Sequence, residues 1–86
     1  MSRQQVIVRQ GRLSEVDAGE IGGGGSYIDE QGRATVTLAV IPRGTDDQNV
    51  DLRKGDRFAL GDESWEVGEI HHPGTSIWAA TVIRSS

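Results

Sequence analysis

"GSYIDEQGRATVTLAVI", residues 25–41, decides how this chain is to be read. In its second half Ala34, Val36, Leu38 and Val40 fall on one face and Arg33, Thr35 and Thr37 on the other. That is a period of two, the pattern of a half-buried strand. Glu30–Gly32 reads as a tight turn, with Gly32 able to take positive φ. The stretch is therefore predicted to be a hairpin. Pro42 ends its second arm, because proline cannot donate to a central ladder.

The same period continues on both sides. "QQVIVRQ" (4–10) places Val6 and Val8 together, and "RLSEV" (12–16) resumes extended chain after Gly11. Ser14 and Asp17 have capping-box-like spacing, which leaves one helical turn over 15–20 as an alternative there. Downstream, Val50 and Leu52 share a face, "RKGD" turns the chain, and Phe58 and Leu60 follow. After "GDE" (61–63), Trp65 and Val67 point inward, and Gly68 shifts the phase as a β-bulge does. "HHPGT" (71–75) is a turn. "SIWAATVIR" (76–84) reads as a last strand, central or covered on both sides, because its apolar residues occupy both faces. Six or seven short strands with no long helix predict an all-β fold, a small antiparallel barrel or sandwich formed by one domain over residues 1–86.

Composition narrows the function. The chain has 86 residues, 12 of them glycine, and no cysteine, which excludes a disulfide framework, thiolate metal ligation and a cysteine nucleophile. Its net charge is −4, whereas nucleic-acid binding relies on Lys and Arg to neutralise phosphates, so an overall acidic chain argues against that role. A nucleic-acid-binding barrel would have to gather Arg3, Arg9, Arg12 and Arg33 on one face. No apolar run is long enough to span a membrane and the first residues do not form a signal peptide, so a cytoplasmic location is expected. So small a core favours self-association as an extra source of stability.

The glycine run Gly22–Gly25 is the one stretch that resembles a motif. A phosphate loop would need a following Lys and a helix, and neither is present. An interdomain linker would need two parts that each fold, and this chain is too short. Two readings remain: a flexible connection, or a strand stripped of side chains so that a ring, a ligand or another backbone can approach. Trp65 or Trp78 could lie over such a strand.

Other candidate chemistry is thinner. His71 and His72 are adjacent, so an extended chain points them to opposite faces and no metal site is expected. Asp46–Asp47, Asp62–Glu63 and Asp29–Glu30 sit in predicted turns, where such residues bond to nearby backbone. The nucleophile-elbow pattern is absent, so no catalytic residue is expected and the chain reads as non-enzymatic, without a cofactor. The tryptophans are expected in the core. If they instead wall a pocket, Tyr27, Trp65, Trp78, Gly23 and Gly24 are the residues that would bind a small apolar ligand. Arg53, Lys54 and Arg57 form the only basic cluster, a candidate docking patch for an acidic partner.

Leu52, Gly55–Asp56, Phe58, Gly61–Asp62, Trp65 and Trp78, spread over the last 35 or so residues, resemble the pattern of the DUF6406 family of small actinobacterial proteins. The resemblance implies no activity and transfers no functional residue. The reading is a protein-interaction or accessory module, self-associating through an edge strand. The alternatives are a small-molecule-binding barrel accessory to specialised metabolism and a compact nucleic-acid-binding barrel.

Overall fold

The computed structural model describes residues 4–85. Eight strands and no helix occur among them: β1 (Gln5–Arg9), β2 (Leu13–Val16), β3 (Gly19–Ile28), β4 (Ala34–Pro42), β5 (Gln48–Arg53), β6 (Arg57–Leu60), β7 (Glu63–His71) and β8 (Ala79–Arg84). They form two antiparallel four-stranded sheets, ordered β1-β8-β7-β6 and β2-β3-β4-β5. The architecture is sandwich-like and not a closed barrel. Alternate residues of both sheets meet between them: Ile21, Val36, Leu38, Val40 and Leu52 from one, Val8, Leu60, Trp65, Val67, Ala80 and Val82 from the other.

The hairpin over residues 25–41 is β3–β4. Asp29 organises its turn, its Oδ1 accepting from the backbone N–H groups of Gln31 and Arg33 while Gly32 takes φ 78°. The "RKGD" turn has Gly55 at φ 91°, with Asp56 N–H donating to Arg53 O. The β6–β7 turn has Gly61 at φ 62° in its first central position, as a two-residue hairpin of the II′ kind requires. The phase slip at Gly68 is a break in the β7–β8 register between Val67 and Ile70. Ile70 still packs against the core.

One alternative falls away and two readings change. The chain over residues 15–20 is strand, turn, strand and not a helical turn. Its amides find partners across the β2–β3 ladder, where Val16 pairs with Gly19. The strand count is eight, because the region before the glycine run supplies β2 and the run itself lies inside β3. The last strand begins at Ala79, not Ser76, and Ile77 is 70% exposed. β8 is central, with β1 and β7 on its two sides. Trp78 leaves the ladder to enter the core, and this turns Ile77 out to solvent.

The glycine run is therefore a strand approached by other backbone. The polypeptide passes from β1 in one sheet to β2 in the other by bending over Gly23. Gly11 N–H donates to Gly23 O at 2.9 Å and Gly23 N–H donates to Arg12 O at 3.0 Å. A Cβ on Gly23 would sit 2.0 Å from Arg9 O. On the neighbouring glycine, Trp78 Nε1 donates to Gly24 O at 3.0 Å. The β3–β4 register slips between Gly23 and Ser26, so the bend and the bulge coincide. A strand that changes sheets at a bend is how a sandwich turns a corner.

Candidate functional site

The five residues proposed to wall a pocket separate into core and surface. Trp65 and Trp78 are fully buried, as expected of core tryptophans. Trp65 Nε1 donates to Glu63 Oε1, and Trp78 Nε1 reaches Gly24. Gly23 is occupied on its inner side by the Arg9 backbone. Tyr27 is 44% exposed on the outer face of its sheet, where its hydroxyl donates to Asp51 Oδ2. Opposite Tyr27 in the ladder lies Thr35, buried between Tyr27 and Arg53. The structure thus brings Trp78 and Gly24 together through backbone bonding, while Tyr27 belongs to a surface network with Asp51 and Thr37.

The basic cluster is paired charge by charge. Arg53 lies 3.1 Å from Asp29, Lys54 bonds Glu69, and Arg57 lies 3.1 Å from Glu66. Arg33 shares Asp29 with Arg53. The Arg33 backbone N–H holds the Asp29 carboxyl below the ordinary carboxylate range. Partial burial opposes this, and the Gln31 N–H and the two guanidinium groups reinforce it. The Lys54 ammonium does the same for Glu69. Since Asp29 is depressed when folded, its stabilising effect is present above the unfolded pKa and lost as pH falls through the folded one. The melting temperatures of wild type and Asp29→Asn should therefore differ by a constant amount from neutral pH down to the ordinary carboxylate range. They should converge in more acidic solution, a trend that calorimetry across that range would read. Asn is chosen because its side-chain oxygen can keep the turn bonds.

Open grooves mark the surface among the described residues. One of about 260 Å³ lies at the end of the sandwich, between Arg33, Ala34, Arg53 and Lys54 on one sheet and Glu69 and Ile70 on the other. A neighbouring one of about 250 Å³ runs along the Asp29–Arg33 turn. The third, about 480 Å³, is lined by Glu15, Glu20, Ile41, Arg43 and adjoining backbone. Among the described residues, no three His, Cys, Asp or Glu side chains are grouped to hold a metal ion. His71 closes β7, and His72 sits in the following turn at φ 52°. Arg9 and Arg12 flank the corner at Gly23, whereas Arg33 is tied to Asp29 in the β3–β4 turn. Arg3 lies outside the described residues. No helix among those residues is long and apolar enough to cross a membrane.

The sheet edges are the remaining feature. β1, β6, β2 and β5 are the four edge strands. Unpaired edges invite added strands, and proteins usually blunt them with short length, Pro, Lys or a bulge. β2 and β6 have four residues each, and β5 turns Asp51 and Arg53 outward. β1 has no Pro, Lys or bulge, and Ile7 at its centre is 56% exposed. The phase of its hydrogen bonds follows from one contact, Arg84 N–H to Gln4 O at 2.9 Å. In an antiparallel ladder every second residue bonds the same neighbour. Val6 and Val8 therefore bond β8, and Gln5 and Ile7 turn their N–H and C=O groups to the side where no described strand lies. The edge ends at Arg9, whose carbonyl accepts from Arg12 N–H. The alternation of "QVIVR" contains this surface, but which face of β1 lacks a neighbour depends on sheet order.

A family model described as "Family of unknown function (DUF6406)" matches residues 3–86. The match is wider than the C-terminal stretch that carries the resemblance, and it takes in the glycine run and β1. No curated protein and no solved structure matches the chain.

Proposed function

Because this chain belongs to the DUF6406 family, whose function is unknown, we propose from its geometry that it is a non-enzymatic protein-interaction module. It takes an extended chain segment onto the outer edge of β1. The observation that carries this reading is the open, unblunted edge at Gln5–Ile7, with a large aliphatic side chain exposed at its middle. Strand addition of this kind draws affinity from main-chain bonds and specificity from alternate side chains. Val6, half-buried on the inner face, would be covered by the incoming strand.

The test is a photoreactive side chain at position 7, introduced in the organism that encodes the chain, with position 59 as control. Ala59 lies on the exposed face of β6, another edge strand. Adducts with protein chains are expected at position 7 and not at position 59. Absence of adducts at 7, or equal adducts at both positions, would refute the reading.

A further inference from the structure

Resting on that reading, we infer that the segment added to β1 is β1 of a second copy, antiparallel about a two-fold axis through Ile7. The outward bonding groups belong to Gln5 and Ile7, with the Arg9 N–H beyond them. A two-fold centred on Ile7 sets Ile7 opposite its own counterpart and Gln5 opposite Arg9. Among the described residues, each with a group facing the gap then meets another such residue. Inward side chains stay inward, with Val6 beside the partner's Val8, so the two sheets join as one.

Charge selects this register over its neighbours. Even-numbered slips are the ones that preserve the faces of the strand. A slip by one such step in one direction sets Ile7 against Arg9, and a further step sets Arg9 against Arg9. A slip in the other direction sets Ile7 against Gln5, an aliphatic against an amide. Like charges directly opposite are destabilising, and an aliphatic opposite a cation forfeits its apolar contact. Centring on Ile7 pairs two aliphatics and places each Arg9 opposite a neutral amide that can accept from it. A two-fold repeats each of these contacts, so one strand supplies both halves of a self-complementary interface.

The register is tested with cysteine, which the chain otherwise lacks. Hydrogen-bonded antiparallel pairs have Cα atoms about 5.5 Å apart, inside the range a disulfide spans. On mild oxidation Ile7→Cys should give a disulfide-linked dimer, and Ala59→Cys should remain reduced or form mixed, slow products. Without cysteine, the wild type should be dimeric by light scattering in the high micromolar range. Ile7→Lys should weaken that dimer about tenfold or more while leaving the melting curve of the monomer in place. Ile7→Pro, which removes an N–H that β8 does not use, should do the same. A wild type that is monomeric throughout overturns the self-pairing, as does a dimer indifferent to position 7. In either case position-7 adducts with a different protein would leave the strand-addition reading standing, and their absence would end both.

Discussion

Gly23→Ala is expected to cost about 3 kcal/mol, enough to lower the melting temperature by roughly 15 °C in a domain of this size. The added methyl would lie 2.0 Å from Arg9 O and 2.5 Å from the Arg9 carbonyl carbon. Both atoms are backbone, held by the bonds that Gly23 makes to Gly11 and Arg12, so no side chain can swing aside. Relief requires that β1 and β3 separate, which opens the core at Val8 and Ile21. The internal control is two residues away. A Cβ at Gly25 would meet nothing within 4 Å. Gly25→Ala should stay within about 0.5 kcal/mol of wild type, or gain slightly by restricting the unfolded chain. Thermal melts of the two variants separate the explanations. Equal losses would mean that the run as a whole needs flexibility, and no loss at Gly23 would mean that the Arg9 backbone does not pack against it.

A second large effect is expected at Glu63, the one buried acidic side chain among the described residues, only 3% exposed. Its Oε1 accepts from Trp65 Nε1 at 3.1 Å, and its Oε2 faces Arg84 Nη1 at 3.1 Å. Glu63→Ala leaves a buried indole N–H without its acceptor and removes a carboxylate 3.1 Å from the Arg84 guanidinium. Removing one partner of a buried ion pair costs about 3–5 kcal/mol. Arg84 is 36% exposed and also lies 4.0 Å from Asp17, so it can turn toward water and the lower part of that range applies. The expected loss is about 3 kcal/mol. Glu63→Gln keeps an acceptor for Trp65 and removes only the charge, with an expected loss of about 1–2 kcal/mol. Urea unfolding followed by tryptophan fluorescence reads both variants. If Glu63→Ala unfolds within about 0.5 kcal/mol of wild type, the pair contributes nothing net.

These two positions show where the sequence can be read and where it cannot. In sequence, Glu63 reads as turn chemistry because it follows Gly61–Asp62. The turn is real, but Leu60 pairs with Glu63, so Glu63 is the first residue of β7 and shares the inward phase of Trp65. The period-two pattern of "ESWEV" already contained that phase, and the proximity of Arg84 across the ladder supplied what the pattern lacked. At Gly23 the sequence allowed a strand that another backbone approaches but could not say which backbone. The answer came from a segment a dozen residues upstream, bending between sheets.

The basic cluster shows the same division. Arg53, Lys54 and Arg57 are adjacent in sequence and read as an exposed patch. Their counter-charges, Asp29, Glu69 and Glu66, come from three other parts of the chain and leave each cation paired. For Ile7 the alternation of Val6 and Val8 already turns the side chain outward, but that its strand lies at a sheet edge depends on sheet order.

By itself the sequence determined the all-β class, the turns at Gly32, Gly55 and Gly61, the bulge at Gly68 and the burial of both tryptophans. Each follows from local forces: side-chain alternation along a pleated strand, positive φ that glycine alone takes freely, and the large apolar area of an indole. Only the tertiary structure decided that two sheets stack without closing, that the chain from β1 to β2 bends over Gly23 into the second sheet, and that β1 lies at a sheet edge. Those depend on which strands become neighbours, and neighbours are chosen by contacts between residues far apart in the chain, which no local pattern encodes.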